Sequence, residues 1–293
     1  MKSKNKIYLN LLKIYKKILE IYPFLSKKEE NNFTKNTLKI LKNKNLEENQ
    51  FKKYSEQILS LLGSNGHASV KENYKITKLQ TKLSQKSKSP SFKIKNEILF
   101  IKIPSWSNNL GDISKELIDY CFKNVQKYNG VIIDVRENSG GNSFVAHKFA
   151  GIFFKNDVIY GEFRYKNKNG KIGKSFGTLI PNKKIFINKS LIILTSKINF
   201  SSNELFLAPF KISKRAILIG ENTRGGSANS ASIKIKINKI EYIVKIPTWK
   251  FFLKGQNKPI EQTAIKPDIK YKDKNIKKFA ENYLLKILNS IKK

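Results

Sequence analysis

The sequence predicts an α/β fold with a largely parallel central sheet. Three short apolar runs are separated by helical patterns, and each run is typical of a strand that is buried on both faces. The runs are GVIIDVR at 130–136, SLIILTS at 190–196 and RAILIGE at 215–221. Alternation of strand and helix indicates a parallel sheet covered by helices. Because ligands bind at the carboxyl ends of such strands, we expect the functional residues just after these runs.

The residues before this core predict three helices. Apolar residues recur at helical spacing up to Pro23, and two further patterns cover about 33–43 and 46–62. The GSNGH loop then ends the third helix, and the polar stretch 78–91 has no apolar face. A hydrophobic face on the first helix could lie on a membrane, but packing against neighbouring helices is the preferred interpretation.

The remaining elements complete the predicted core. They are a strand pair over 92–104 with a turn near Asn96, helices over 113–128, 143–154 and 203–210, a β-hairpin over 231–252 and a helix over 275–293. We therefore expect an N-terminal helical region (1–66), a connecting segment (67–91) and an α/β core (92–293).

The net charge of +36 invites a nucleic-acid interpretation, but its make-up argues against one. Only four of the 58 basic residues are arginine, and the lysines are spread along the whole chain. Proteins that read bases favour arginine and concentrate their charge on one face. Specific nucleic-acid binding is therefore not expected, although nonspecific attraction to anionic surfaces remains an alternative.

Cysteine and histidine usage limits other classes of site. Cys121 is the single cysteine, so no internal disulfide can form, and with only two histidines a structural zinc site is not expected. No cofactor is predicted. No stretch reads as a signal core or a membrane span, so we expect a cytoplasmic location.

The stretch TSKINFSSNELFLAPF (195–210) places two serines between a buried strand and a helix. One interpretation is helix capping, with Ser201 and Glu204 forming a capping box. The other is a nucleophile at a helix N-terminus, where backbone N–H groups can stabilise an oxyanion. This stretch alone does not decide between them.

Three other segments could supply the rest of a catalytic site. Gly140 and Gly141 follow the first buried strand, where a glycine turn can either shape the chain or aim an N–H group at a ligand. His67 lies in a loop after the third helix and could be a base or a solvated side chain, whereas His147 lies within a helical pattern. Glu261, in KPIEQTAIKPDIKY, would by itself be read as surface charge.

Taken together, the motifs resemble the C-terminal-processing and tricorn-core serine peptidases. Five motifs occur in that family's order; they are LLGSNGH at 61–67, DVRENSGG at 134–141, SSNE at 201–204, GENTRG at 220–225 and EQTAIKPD at 261–268. The resemblance implies a ClpP/crotonase-like fold and peptidase activity.

The family has two catalytic plans, and this sequence is similar to one of them. The C-terminal-processing branch uses a Ser–Lys dyad, and the lysine's position is occupied here by Gly226. The tricorn-like branch uses a histidine and a glutamate, which correspond to His67 and Glu261. The serine that precedes this histidine in the tricorn pattern is replaced by Gly66, with Ser64 nearby. No PDZ-like insertion is visible.

The resemblance implies a serine endopeptidase that cleaves extended or unfolded peptides through an acyl-enzyme at Ser201. His67 would be the general base and Glu261 would orient it. The oxyanion hole would be formed by the N–H groups of Ser202 and of Gly140 or Gly141. A peptide or unfolded protein would be the partner. The alternative is a catalytically silent member of the fold that binds a ligand or peptide.

Overall fold

The computed structural model describes residues 2–43, 46–63, 66–73, 89–107 and 113–292. Most of the predicted polar segment lies outside these residues. The α-helices are α1 (Lys2–Ile21), α2 (Lys27–Leu41), α3 (Phe51–Ser60), α4 (Ile113–Lys123), α5 (Ser143–Ala150), α6 (Ser202–Ser213), α7 (Ile260–Thr263) and α8 (Ile276–Lys292). The strands are β1 (Ser69–Glu72), β2 (Ser91–Lys95), β3 (Ile98–Lys102), β4 (Gly130–Asp134), β5 (Val158–Lys166), β6 (Ile172–Leu179), β7 (Ser190–Thr195), β8 (Ile217–Gly220), β9 (Ser230–Ile237), β10 (Ile240–Pro247), β11 (Trp249–Leu253) and β12 (Ile269–Lys270).

The largest sheet has six strands in the order β12-β8-β7-β4-β3-β2. Every neighbouring pair is parallel except β2 and β3, which form an antiparallel hairpin. The three apolar runs identified in the sequence form β4, β7 and β8, which lie side by side in this sheet. The predicted α/β fold with a mostly parallel sheet is confirmed.

Helix α8 covers one face of this sheet. Its buried residues Ile276, Ala280 and Leu284 follow helical spacing and pack against strand residues such as Ile132 and Ile192. Because successive side chains of a strand point to opposite faces, both faces of the central strands can be apolar. This explains why β4 is buried along its whole length.

The N-terminal helices pack with a second sheet. Three antiparallel strands in the order β1-β10-β9 share one apolar core with α1, α2 and α3. Ile14 of α1 and Val244 of β10 are both fully buried in it. The antiparallel register aligns Val70 with Val244, which places both side chains on the face that meets the helices. A third sheet has the order β11-β5-β6.

The chain divides into two compact units. The first combines Met1–Thr77, Phe163–Ser175 and Ala228–Phe251, and the second contains the remaining three stretches. The hairpin β9–β10 therefore belongs with the N-terminal helices, whereas the sequence had placed it in the core beginning at residue 92. The apolar face of the hairpin completes a helical core that is distant in sequence, which local periodicity could not indicate. No helix among the described residues is both long and apolar enough to cross a bilayer.

Replacement of Ile14 by alanine should destabilise the first unit. Ile14 is fully buried, so its loss leaves a cavity and should lower the free energy of unfolding by about 2–5 kcal/mol. Leu9, on the same helix, is 55% exposed, and Leu9→Ala should change stability by less than about 0.5 kcal/mol. Urea denaturation followed by circular dichroism would measure both. Equal losses for the two variants would contradict the packing of α1.

Candidate active site

Ser201 lies in the turn that joins β7 to α6. Its backbone has φ 56° and ψ −128°, a conformation that residues other than glycine rarely adopt. The side chain is partly exposed and makes no capping hydrogen bond with the helix. Capping by the side chain of Ser201 is therefore wrong as an explanation. The hydroxyl is held on a strained turn between strand and helix, which is also the setting of the nucleophilic serine in α/β-hydrolases.

A hydrogen bond from the loop after β8 supports this turn. The N–H of Ser201 donates to the carbonyl oxygen of Gly226 at 2.7 Å. The N–H of Gly226 in turn donates to a carboxyl oxygen of Glu204 at 2.7 Å. Gly226, which occupies the position of the dyad lysine, therefore connects Glu204 to Ser201 through its backbone.

Glu204 is a fully buried carboxyl group within the first turn of α6. It accepts hydrogen bonds from the hydroxyl of Thr223 and from the N–H of Gly225, in addition to the bond from Gly226. Its carboxyl therefore anchors the loop after β8, instead of closing a capping box with Ser201.

Burial raises the pKa of Glu204 to about 8. The three hydrogen bonds oppose this shift because they stabilise the ionised form, and the neighbouring charge of Glu261 adds to it. Burial is the largest effect, so the folded protein holds a proton here that an exposed glutamate would have lost at neutral pH.

Two glycines on the loop after β4 lie against the serine turn. A Cβ atom on Gly140 would be 2.9 Å from the Cβ of Ser201, so only glycine permits this approach. Gly141 has φ 137°, and its carbonyl oxygen accepts a 2.7 Å hydrogen bond from the hydroxyl of Ser202. The glycine loop and the start of α6 therefore meet directly, as the sequence motif indicated.

The two glycines differ in the use of their N–H groups. The N–H of Gly140 donates to the side-chain oxygen of Asn138 at 2.9 Å. In the described part of the chain, the N–H groups of Gly141 and Ser202 donate to no protein acceptor. Of the two candidate glycines, Gly141 therefore has the available donor, and its carbonyl oxygen is bonded to the side chain of Ser202.

Buried polar side chains hold the loops in place. Asn199 lies between β7 and Ser201, and its amide nitrogen donates to the carbonyl oxygens of Val135 and Asn138. At the end of β4, Arg136 forms a bidentate pair with Asp134. Burial alone would raise the pKa of Asp134, but the hydrogen bonds and charge of Arg136 lower it below its usual value.

Glu261 lies in the same unit as Ser201, in the short helix α7. It is close enough to Glu204 for the two carboxyl groups to interact electrostatically. The chain beyond it is tied to the loop after β8, since the N–H of Ile265 donates to the hydroxyl of Thr223. Glu261 is thus positioned in the surroundings of the buried carboxyl.

His67 belongs to the first unit, where it precedes β1. Its carbonyl oxygen accepts a 2.9 Å hydrogen bond from the hydroxyl of Ser230. The pairing of His67 with Ser201 and Glu261 stays a prediction, and Ser64 lies outside the described residues. His147 has a different setting, since its Nε2 atom is 3.2 Å from the carbonyl oxygen of Leu205 and burial lowers its pKa.

Sequence reasoning did not identify two contributors to this site. The anchoring role of Glu204 was hidden because the SSNE pattern also fits a helix cap. Trp106, which bonds to the glycine loop through its main chain, lies outside all five motifs. Contacts between segments distant in sequence leave no local pattern, so the SSNE motif marked Glu204 without its role and no motif marked Trp106.

The family model of peptidase family S41 matches residues 97–271, and the chain belongs to that family. It is accordingly a peptidase of the class that includes the C-terminal processing proteases, and the family predicted from the motifs is confirmed. The match covers the glycine loop, the serine turn and Glu261.

Solved structures share the fold at low sequence identity. A candidate peptidase from Parabacteroides merdae is 18% identical with a TM-score of 0.69, and the match covers 97% of each chain. A lipoprotein from Streptococcus agalactiae is 19% identical with a TM-score of 0.65, covering 96% of each chain. Mature CPAF in complex with lactacystin is 12% identical with a TM-score of 0.56, covering 68% of this chain and 53% of that one.

Replacement of Glu204 by glutamine should flatten the dependence of stability on pH. The folded-state pKa is raised, so the stability that the proton contributes is complete below the ordinary glutamate pKa and is lost as pH rises through about 8. A glutamine cannot ionise, so the melting temperature of Glu204→Gln should fall less than that of the wild type between pH 6 and 9. Thermal unfolding followed by circular dichroism measures this.

Glu116→Gln is the matched control, because Glu116 is an exposed glutamate on α4. This variant should keep the pH dependence of the wild type. If Glu204→Gln and the wild type lost stability in parallel over this range, Glu204 would not carry the proton.

Proposed function

We propose that this protein is a serine endopeptidase that cleaves extended or unfolded peptides, with Ser201 as the nucleophile. One observation carries the proposal. Ser201 is partly exposed on a strained turn, and its hydroxyl does not cap the helix. Among the described residues, the N–H groups of Ser202, the next residue, and of Gly141, whose carbonyl oxygen accepts from the Ser202 hydroxyl, have no protein acceptor. A helix cap would require the opposite arrangement, with the serine side chain bonded to the helix.

The proposed reaction begins with attack of the Ser201 hydroxyl oxygen on the scissile carbonyl carbon. His67 accepts the hydroxyl proton and later gives it to the leaving amine. Glu261 orients the imidazole and stabilises its charged form. The N–H groups of Gly141 and Ser202 stabilise the oxyanion of the tetrahedral intermediate, and loss of one such donor costs about 3–4 kcal/mol of barrier. Water then hydrolyses the acyl-enzyme by the same route.

The choice of a histidine base over a lysine base rests on Gly226. The position of the dyad lysine is occupied by a residue without a side chain, whose N–H and carbonyl group both have defined partners. This supports the tricorn-like assignment of His67 as the base and Glu261 as its partner.

An extended or unfolded peptide is the proposed partner, since peptidase family membership implies a peptide substrate. The absence of specific nucleic-acid binding and the cytoplasmic location stay predictions. Fractionation of cells that produce the full chain would test the location.

Replacement of Ser201 by alanine should abolish cleavage. Removal of a nucleophilic serine lowers kcat by about 10⁶-fold in a well-studied serine protease, because no other group can form the acyl-enzyme. The measurement is mass-spectrometric analysis of products after incubation of each protein with a diverse peptide mixture. New peptides from the wild type alone would establish a serine peptidase and give its cleavage preference.

The control is Ser213→Ala at the other end of α6, where the hydroxyl donates to the carbonyl oxygen of Pro209 and accepts from the N–H of Arg215. It should cleave at the wild-type rate. Cleavage by Ser201→Ala at that rate would show that the nucleophile is another residue. No products from any of the proteins would favour the silent binder, and a ligand carried through purification would then be sought.

The two histidines provide a second test. His67→Ala should be nearly as inactive as Ser201→Ala, because the serine would lose its base. His147→Ala should keep near wild-type activity per folded molecule, because its ring contacts the carbonyl oxygen of Leu205 and the ring of Tyr160. The measurement is the initial cleavage rate of each variant on the same peptide. A slower rate for His147→Ala than for His67→Ala would assign the base to His147.

A further inference from the structure

Trp106 connects the two segments that provide the proposed oxyanion donors. It follows β3 and is completely buried. Its N–H donates to the carbonyl oxygen of Gly140 at 3.0 Å, and its own carbonyl oxygen accepts from the N–H of Asn142 at 2.8 Å. These two bonds form a parallel bridge with Gly141 at its centre.

The bridge holds the glycine loop and leaves the N–H group of Gly141 unused. Trp106 bonds to the residues on either side of Gly141, so the polar groups of Gly141 itself are not consumed by the bridge. A Cβ atom on Gly141 would lie 2.4 Å from the carbonyl carbon of Trp106, which is too close for any side chain. The main chains of Trp106 and Gly141 are therefore in direct contact, and a shift of one must displace the other.

The side chain of Trp106 reaches the other segment. Its indole N–H donates to the side-chain oxygen of Asn203 at 2.8 Å, and its ring lies 4.8 Å from the ring of Phe206. Both partners are on α6, and Asn203 directly follows Ser202 in the chain. The same residue thus fixes the glycine loop through its backbone and the start of α6 through its ring.

The bond between Trp106 and Asn203 is not explained by stability alone. An indole can only donate, so the oxygen of the Asn203 amide must face it. The amide nitrogen of Asn203 is then buried without an acceptor in the part of the chain that the structure describes. A buried donor without a partner destabilises a fold, and an apolar pair of similar shape would avoid this loss. The polar pair instead fixes one orientation of the Trp106 ring relative to α6.

We propose that Trp106 is a positioning residue that sets the separation between the N–H groups of Gly141 and Ser202. The inference rests on the proposed function, because it concerns the oxyanion hole of that reaction. Trp106 touches no substrate atom in this scheme and acts through the two segments it holds. Oxyanion stabilisation depends on donors placed before the charge develops, so a small displacement affects the transition state more than the bound substrate.

The first test is Trp106→Phe, which removes the indole N–H and keeps an aromatic ring. We expect kcat to fall about 10- to 100-fold, part of the 10²- to 10³-fold lost when an oxyanion donor is removed, while KM stays within about twofold. Trp249→Phe is the matched control, since Trp249 is the other tryptophan of the chain and belongs to the first unit. It should leave both constants unchanged.

The second variant is Asn203→Leu, which keeps the tryptophan and removes its acceptor while keeping a branched side chain with the same number of heavy atoms. It should lower kcat by a similar factor, and the double variant should lose no more than the worse single variant, since both remove the same bond. If Trp106→Phe does not fold, Asn203→Leu decides the outcome alone.

A peptide aldehyde provides the readout that a purely structural role would not change. The Ser201 oxygen bonds to the aldehyde carbon and its proton passes to the former carbonyl oxygen, which gives a hemiacetal with that oxygen in the oxyanion position. Its affinity should fall in both variants by the same factor as kcat, whereas the affinity of a non-cleavable peptide should not. Wild-type kcat and aldehyde affinity in folded variants would overturn the inference and leave the proposed function intact. Wild-type protein that neither cleaves peptides nor binds the aldehyde would overturn both.

Discussion

The strained backbone of Ser201 is the constraint on which the rest of the site depends. A residue with a Cβ atom at φ 56° and ψ −128° is unfavourable by about 1–3 kcal/mol, and it persists only where its surroundings fix it. Here the hydrogen bond to Gly226 fixes it from one side, and the close approach of Gly140 leaves no room on the other. The turn lifts the hydroxyl away from the helix that it would otherwise cap, which makes a nucleophilic role physically possible.

Buried polar groups hold the loops that meet at this turn. Glu204 accepts three hydrogen bonds from the loop after β8, and Asn199 donates to the loop after β4. Trp106 adds the bond to Asn203 on α6. Hydrogen bonds are directional, so a network of this kind specifies one arrangement more sharply than apolar packing does. This arrangement has an energetic cost, because it buries the carboxyl group of Glu204 and leaves the amide nitrogen of Asn203 without an acceptor among the described residues.

The sequence predicted more of the second unit than of the first. The runs that form β4, β7 and β8 were readable because both faces of a central parallel strand are buried, which gives a continuous apolar signal. Strands β1, β5, β6 and β12 were not predicted, and the hairpin β9–β10 was assigned to the core. Its partners lie more than 150 residues away in α1–α3, and separation of that kind leaves no trace in local periodicity.

For the site, the sequence by itself determined which residue types stand at the ends of the central strands, and through them the family. The GG pair after β4, the serine after β7 and the glycine at position 226 are local patterns with a local conformational meaning. Only the tertiary structure decided that the side chain of Ser201 does not cap the helix and that Trp106 joins the two donor segments. It also decided that, among the described residues, the N–H of Gly140 has an acceptor and that of Gly141 has none. Each of these depends on hydrogen bonds between segments that folding brings together. A sequence motif shows the residue types but not which groups bond to each other.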